Sequence, residues 1–518
     1  MGGASARHIR DWETMMGFYY NTYVNNALVD ENTFKTAAVK EAELPKFDEV
    51  QDGLPAPFWK GHAAEIACYW KAWELAFANL KKPTAENGFI VNYIATCFND
   101  CLFMWDSVFA AMFGKYGRRA FNFQETLDNL YAKQHRDGFI CREISETDGS
   151  DRFHRFDPSS TGPNVMPWAE WEYYGLFGDR DRLKKVFPVL AAYHRWLRNY
   201  RTWPDGTYWS SGWGCGMDNQ PRLAAGMHNE FYHGHQSWVD ICLQQVFSAK
   251  ILVKAAEILG KSDEARDFEE EIARLSEYIN SHMWDAEKKY YFDLRKDRTI
   301  SDIKSIGAYW ALLAGVVPES RLDGFLSHLE NPEEFKRPHR VPSLSADTPG
   351  YCEEGNYWRG SIWVLTNYMV LRGLTEAGRD ALAHEIALNH VENVTKVFED
   401  TGTLWENYSP EAAKPGIPAQ RDFVGFGGLP PISVLLEYVF GIRPEVGKQA
   451  IIWDVRLLEE HGVDKYPFGN NGVLSLKCKA RHSSSERPEV EITSNIPVTV
   501  GIRWDNGARY AEAAVKIC

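Results

Sequence analysis

No stretch of this chain approaches the roughly 20 consecutive apolar residues that a membrane-spanning helix requires, so a membrane partner is not expected. An excess of positive charge is also missing. The formal charge of -14 repels polyphosphate and anionic lipid, which argues against nucleic acid as a partner. The chain has no H-E-x-x-H or other paired ligand spacing and no C-x-x-C, so no metal site is expected. It also lacks a G-x-S-x-G elbow, a phosphate loop and a G-x-G-x-x-G fingerprint, which argues against serine-hydrolase, kinase and dinucleotide chemistry, and no cofactor is implied. The first thirty residues carry charges throughout, with no apolar run after a basic stretch, so a secretory leader is not expected and a cytoplasmic location is. The nine cysteines are scattered. They read as reduced, buried thiols, Cys97 and Cys101 included, although those two would share a helix face.

With 44% hydrophobic and 25% charged residues, the 518-residue chain has the composition of a globular protein with a large core. Ile66, Trp70, Trp73, Phe77 and Leu80 recur at steps of three and four, which predicts a helix with a wide apolar stripe. Comparable segments at about 103–116, 119–134, 165–177, 181–199, 230–259, 262–283, 303–314, 320–329, 355–373, 377–399 and 429–440 make about a dozen helices. Past Gly441 the period changes to two, with Leu474, Leu476 and Cys478, then Val498, Val500, Ile502 and Trp504, which predicts strands. We therefore divide the chain into an N-terminal arm (1–54), a helical body (55–440) and a small β-rich C-terminal domain (441–518).

Two carboxylates stand out in loops. In Ser211–Arg222, rich in glycine, Asp218 has tryptophan, methionine and proline for company, an environment that raises a carboxyl pKa as a general acid at neutral pH requires. In Gly402–Pro410, Glu406 lies between aromatic residues and is suited to orient a water. Either loop is also ordinary turn chemistry. Inverting glycoside hydrolysis needs an acid and a base about 6.5–9.5 Å apart, a distance no sequence can measure.

Further stretches mix aromatic faces with hydrogen-bonding groups, as the C–H faces and hydroxyl rim of a pyranose demand. Trp105 and Asp106 sit in an apolar run, and Gln134 and Asp137 flank a polar turn. Trp168 follows a proline-rich loop, and Trp213 and Arg222 belong to the Asp218 loop. Tyr357, Trp358, Arg359 and Trp363 form a cluster in which the guanidinium is a candidate to bond ring hydroxyls or to hold Glu406, and Tyr408 follows the second carboxylate. The competing reading makes Trp358, Ile362, Leu365 and Met369 a helix core face.

Taken in order, Trp105-Asp106-Ser107, Gln134 with Asp137-Gly138-Phe139-Ile140, Gly216 to Arg222, Tyr357 to Trp363 and Glu406 to Pro410 resemble glycoside hydrolase family 63, in its mannosylglycerate and glucosylglycerate hydrolase branch, with trehalases more distant. The resemblance spans most of residues 90–430. It implies an all-α (α/α)6 barrel and inversion at an α-glycosidic bond, with Asp218 as acid and Glu406 as base. Trp105, Asp106, Gln134, Trp358 and Arg359 would then line the sugar pocket. Some relatives carry a structural calcium, but no ligand-rich loop here demands one. The tryptophan that relatives show after the base is missing from Asp422–Pro430, so that wall is expected to differ. The expected partner is a small carbohydrate, and assembly into a homo-oligomer stays open. An epimerase or polysaccharide lyase on the same barrel, or a carbohydrate-binding protein without chemistry, are the rival readings.

Overall fold

The computed structural model describes residues 24–95, 98–224, 226–445 and 448–518. The expectation for Cys97 lies outside them, as does most of the helical stretch expected early in the arm. From Val24 onward the arm holds only short helical turns, such as Ala27–Asp30 and Phe47–Val50.

The apolar stripe at 66–80 becomes α1 (Ala63–Ala78), with Trp73 fully buried. Eleven further helices make up the rest of the body. They are α2 (Met104–Gly114), α3 (Thr126–Ala132), α4 (Met166–Phe177), α5 (Arg180–Tyr200), α6 (Val239–Leu259), α7 (Arg266–His282), α8 (Trp310–Leu313), α9 (Glu319–Glu330), α10 (Val364–Glu376), α11 (Asp380–Thr401) and α12 (Leu429–Val439), the last wound as a π-type helix. The even-numbered helices form a closed circuit, α2 packing on α4, α4 on α6, α6 on α8, α8 on α10, α10 on α12, and α12 back on α2. Of the odd-numbered helices, α5 packs on α4 and α6, α7 on α6, and α11 on α10 and α12.

Two helices begin later than their periodicity predicts, for a backbone reason. Gly234 and His235 take φ of 62° and 54°, so α6 starts at Val239 instead of 230. Gly355, Asn356, Tyr357 and Gly360 all have positive φ, which turns 355–363 into a loop and delays α10 to Val364. Trp358 and Ile362 therefore do not belong to a helix face, although both are buried.

The interior of the circuit is filled by Trp168 of α4. Its ring meets Phe109 of α2, Phe247 of α6 and Trp310 of α8 edge-on, and stacks on Tyr368 of α10, all with centroids 5.7–5.9 Å away. Deeper, past the C-terminal end of α2, Lys115 reaches Glu172 of α4 (3.3 Å) and Glu437 of α12 (3.1 Å). Arg372 of α10 pairs with Glu172, and the hydroxyls of Tyr116 and Tyr368 donate to Glu437 at 2.7 and 2.8 Å. Burial works against ionisation of Glu172, but Arg372 and Lys115 outweigh it and hold its carboxyl below the ordinary range.

The chain is helix-rich but not all-α. Small hairpins interrupt the body, among them Cys101–Phe103 paired with Glu143–Ser145, and the C-terminal part folds into two sheets. In the five-stranded sheet, Leu474, Leu476 and Cys478 point inward, as their alternation predicts. Its edge strand is Ala56–Trp59, paired antiparallel with His461–Asp464, so a strand expected to open the helical body completes the C-terminal sheet.

Because Lys115 is the cation shared by two buried carboxylates, Lys115→Ala leaves Glu437 with hydroxyl donors alone. We expect a loss of about 3–5 kcal/mol in equilibrium urea unfolding of the full chain. An unchanged midpoint would mean that water substitutes for the ammonium.

Candidate active site

A cavity of about 500 Å³ opens at the N-terminal ends of the inner helices. Trp105 and Asp106 reach it from the first turn of α2, Pro163 from the loop before α4, Trp363 from the residue capping α10, and Phe426 from the segment before α12. The loop Ser211–Arg222 brings in Trp213, Gly216 and Asp218. Tyr357, Trp358 and Glu406 complete the far wall.

Every residue around Asp218 has an anchoring task. The Ser211 side chain accepts from Gly214 N–H at 3.1 Å and starts a single helical turn, Gly212–Cys215. Gly216 ends that turn at φ 77°, and a Cβ there would press on the Trp105 indole at 3.3 Å. Asn219 donates to Asn356 C=O (3.0 Å) and accepts from Trp358 N–H (2.9 Å), which ties the loop to the opposite wall. Gln220 donates to Ser343 C=O (2.6 Å) and accepts from the Ser305 hydroxyl (2.8 Å). Arg222 is fully buried, forks onto Asp240 and Asp293 at 2.6–2.8 Å, and lies over the Trp238 ring.

Glu406 lies on an irregular extended segment whose Tyr408 exchanges backbone hydrogen bonds with Ile362 at 2.8 and 3.0 Å. Its carboxylate accepts from the Tyr357 hydroxyl and from Gln420 N–H, each at 3.1 Å. Tyr357 is held for that task at φ 65°, a conformation a bulky residue adopts only under constraint, with its ring edge-on to Trp363 at 4.8 Å. Trp358 and Trp363 stack in parallel at 3.9 Å.

Three carboxyls inside one low-dielectric cavity oppose one another's ionisation. Burial first, then the charge of Glu406, pushes Asp106 up to about 8, although it sits in the first turn of a helix. Burial also pushes Asp218 up to about 7, with Arg142 pulling it down and Glu406 adding to the rise. Glu406 is raised by burial too, but its two donors favour the ionised form. Among the described residues no group of three or more His, Cys, Asp or Glu side chains converges as a metal site.

Of the expected residues, Asp218, Glu406, Trp105, Asp106, Trp213, Tyr357, Trp358 and Trp363 share this cavity, and six others do not. Gln134 is buried and donates to the carbonyls of Gly138 and Val189. Asp137 pairs with Arg155 and accepts from the Trp196 indole. Trp168 is the core residue beneath the cavity, and Arg222 is spent on its two aspartates. Tyr408 is buried and accepts from Trp405 N–H. Arg359 donates to Gly350 C=O at 2.8 Å and faces a second cavity behind Pro221, not Glu406. In each case the polar group satisfies a buried partner, which a motif cannot distinguish from a ligand contact.

The cavity also contains residues that sequence reasoning passed over. Phe103, Glu143 and Arg152 lie side by side across the hairpin Cys101–Phe103 and Glu143–Ser145 and the segment after it. Arg142 pairs with Glu143 and lies over the rings of Phe153 and Trp213. Arg152 is exposed and makes no side-chain hydrogen bond or close ion pair among the described residues. Phe426, backed by Phe423 at 4.5 Å, occupies the wall where a tryptophan was missed. The one local signal for these residues was the Phe-rich, charged composition of 139–156.

The model of the mannosylglycerate hydrolase MGH1-like glycoside hydrolase domain matches residues 101–423. Mannosylglycerate hydrolase of Thermus thermophilus is 25% identical over 348 residues, covering 54% of this chain and 83% of that protein. A probable mannosyl-oligosaccharide glucosidase of Schizosaccharomyces pombe is 26% identical over 280 residues, covering 48% of this chain but only 34% of the yeast protein. Among solved structures, the glucose complex of the family 63 mannosylglycerate hydrolase from Thermus thermophilus superposes with a TM-score of 0.57 at 21% identity, covering 71% of this chain and 99% of that one.

A carboxyl with a raised folded-state pKa contributes stability that is present below its unfolded value and is lost as pH rises through the folded one. Asp218→Asn removes that loss. Its melting temperature is expected to exceed that of the parent at pH 8 and to converge on it near pH 4, as read by calorimetry at the two pH values. The same offset at both would show that Asp218 is not held protonated.

Proposed function

The chain belongs to the mannosylglycerate hydrolase MGH1-like glycoside hydrolase family, and we propose that within it the protein is an exo-acting α-glycosidase that inverts the anomeric centre, with Asp218 as general acid and Glu406 as general base. The carrying observation is the pair of differently tuned carboxyls in one cavity. Asp218 is pushed up to about 7 and can deliver a proton to the leaving oxygen near neutral pH. Glu406, held by Tyr357 and Gln420, keeps donors that stabilise its charge and suits it to deprotonate a water on the opposite face. Asp106 is read as a neutral partner of ring hydroxyls, and the Trp358–Trp363 stack as the apolar platform for the ring.

On this reading the circuit of even-numbered helices is the inner ring of an (α/α)6 barrel. Its catalytic unit runs from about residue 55 to 440, beside an arm and a β domain from 441 that borrows the strand Ala56–Trp59. The described cysteines are all unpaired, which fits a reducing compartment and so the cytoplasmic expectation. No described helix is long and apolar enough to cross a membrane.

For the leaving group, the unpaired guanidinium of Arg152 on the cavity wall favours an acidic conjugate such as glycerate over a neutral sugar. The choice between glucoside and mannoside rests on hydroxyl contacts, each worth about 1–3 kcal/mol when lost.

Asp218→Asn and Glu406→Gln should each lower kcat by roughly a hundredfold or more on a hydrolysed α-glycoside, with β-anomer appearing first by proton NMR. The parent's kcat/KM should fall on the alkaline side near pH 7, where Asp218 loses its proton. If Asp106→Asn abolished turnover while Asp218→Asn did not, the acid would be Asp106. An unsaturated or epimerised product would favour the lyase or epimerase reading, and binding without turnover across the panel the non-catalytic one. Arg152→Ala should raise KM for a glycerate conjugate and leave KM for an uncharged aryl glycoside unchanged. Equal effects on both would remove the acidic leaving group from the proposal.

A further inference from the structure

We propose that Asn229, carried on the separate loop Gly226–Gln236, is a positioning residue that fixes the main chain of Asp218 and so aims the proton donor; this rests on Asp218 being the acid. The Asn229 side-chain amide donates to Asp218 C=O at 2.7 Å. That carbonyl can only accept, so the amide nitrogen must face it and the orientation is settled by chemistry. The outward oxygen, Oδ1, is buried with no partner among the described residues, a cost that an ordinary loop residue would escape by turning to solvent.

Backbone contacts from the same segment reinforce the grip. Asn229 C=O accepts from Gly212 N–H at 2.7 Å, and Glu230 C=O accepts from Trp213 N–H at 3.1 Å and from the Ser159 hydroxyl at 3.1 Å. Both ends of the Gly212–Asp218 turn are thus tied to one short stretch of Gly226–Gln236. The junction has no slack, since a Cβ on Gly212 would collide with Asp218 O and with Asn229 Nδ2. Phe231 continues the clasp outward, its ring edge-on to Trp213 at 4.5 Å.

The chemical consequence follows from the geometry of the peptide plane. Asn219 is anchored on the opposite wall, so fixing Asp218 C=O leaves the 218–219 peptide no freedom to rotate. The carboxyl then keeps both its direction and its burial. Without the Asn229 amide the turn can swing toward solvent, which misdirects the proton and hydrates the carboxyl.

The test uses the full chain and an α-glycoside that the parent hydrolyses. Asn229→Ala and Asn229→Asp, the latter matched in shape but without the donor, should lower kcat about tenfold to a hundredfold with little change in KM. Their alkaline limb should move to lower pH as Asp218 returns toward an ordinary carboxyl. Asn229→Gln, which keeps the amide, should recover part of the rate. Parent-like kcat and pH profiles in Ala and Asp would overturn the role, as would a rate loss with an unmoved alkaline limb, which marks a merely structural defect. Asp218→Asn run alongside separates the two ideas. If it is active, the acid assignment itself fails; if it is inactive while Asn229→Ala is parent-like, only the positioning role fails.

Discussion

The site depends on a buried charge cluster that lies beyond it. Lys115 and Arg372 against Glu172 and Glu437 join α2, α4, α10 and α12 at depth, so four inner helices are fastened by charge as well as by packing. Taking such ions out of water costs several kcal/mol each unless partners satisfy them, and here the Tyr116 and Tyr368 hydroxyls and the Trp168 indole add donors. Above it, the Trp168 ring fills the interior. Cluster and ring together close the ring of helices from below and leave its N-terminal end open.

That open end gathers acids. Nine residues, roughly 13 Å of helix, separate Asp106 from Lys115, so one helix carries a carboxyl into the cavity and its neighbouring lysine into the floor. Helix N-termini favour negative charge, whereas burial opposes it, and burial wins for Asp106 and Asp218. Glu406 differs because two donors converge on it, one of them a tyrosine held in a strained backbone conformation. The three acids thus come to unequal protonation through surroundings alone, and acid–base division at a glycosidic bond rests on that kind of inequality.

The elements that carry this chemistry are loops, and their precision comes from many anchors. The Asp218 loop is tied through Asn219 to the Tyr357 wall, through Gln220 to Ser343, through Arg222 to α6 and through Asn229 to a separate segment. A long glycine-rich loop that would otherwise be mobile acquires the rigidity of the helices it joins.

Much of this was legible in the residues. Spacing of three and four located the helices, alternation located the C-terminal strands, and Asp218 and Glu406 stood out as acids in apolar company. Both kinds of signal are local, because helix and strand periods and the immediate surroundings of a side chain are written over a few consecutive positions. Which polar residues face the cavity was not legible. Gln134, Asp137, Arg222 and Arg359 resemble ligand-binding groups as closely as Asp106 does, yet each meets a buried partner far away in the chain. Arg142, Glu143, Arg152 and Asn229 reach the site through hairpin register and a loop clasp, contacts between segments that no local pattern encodes. The tertiary structure alone decides such pairings, because a buried hydrogen bond depends on where two distant backbones meet.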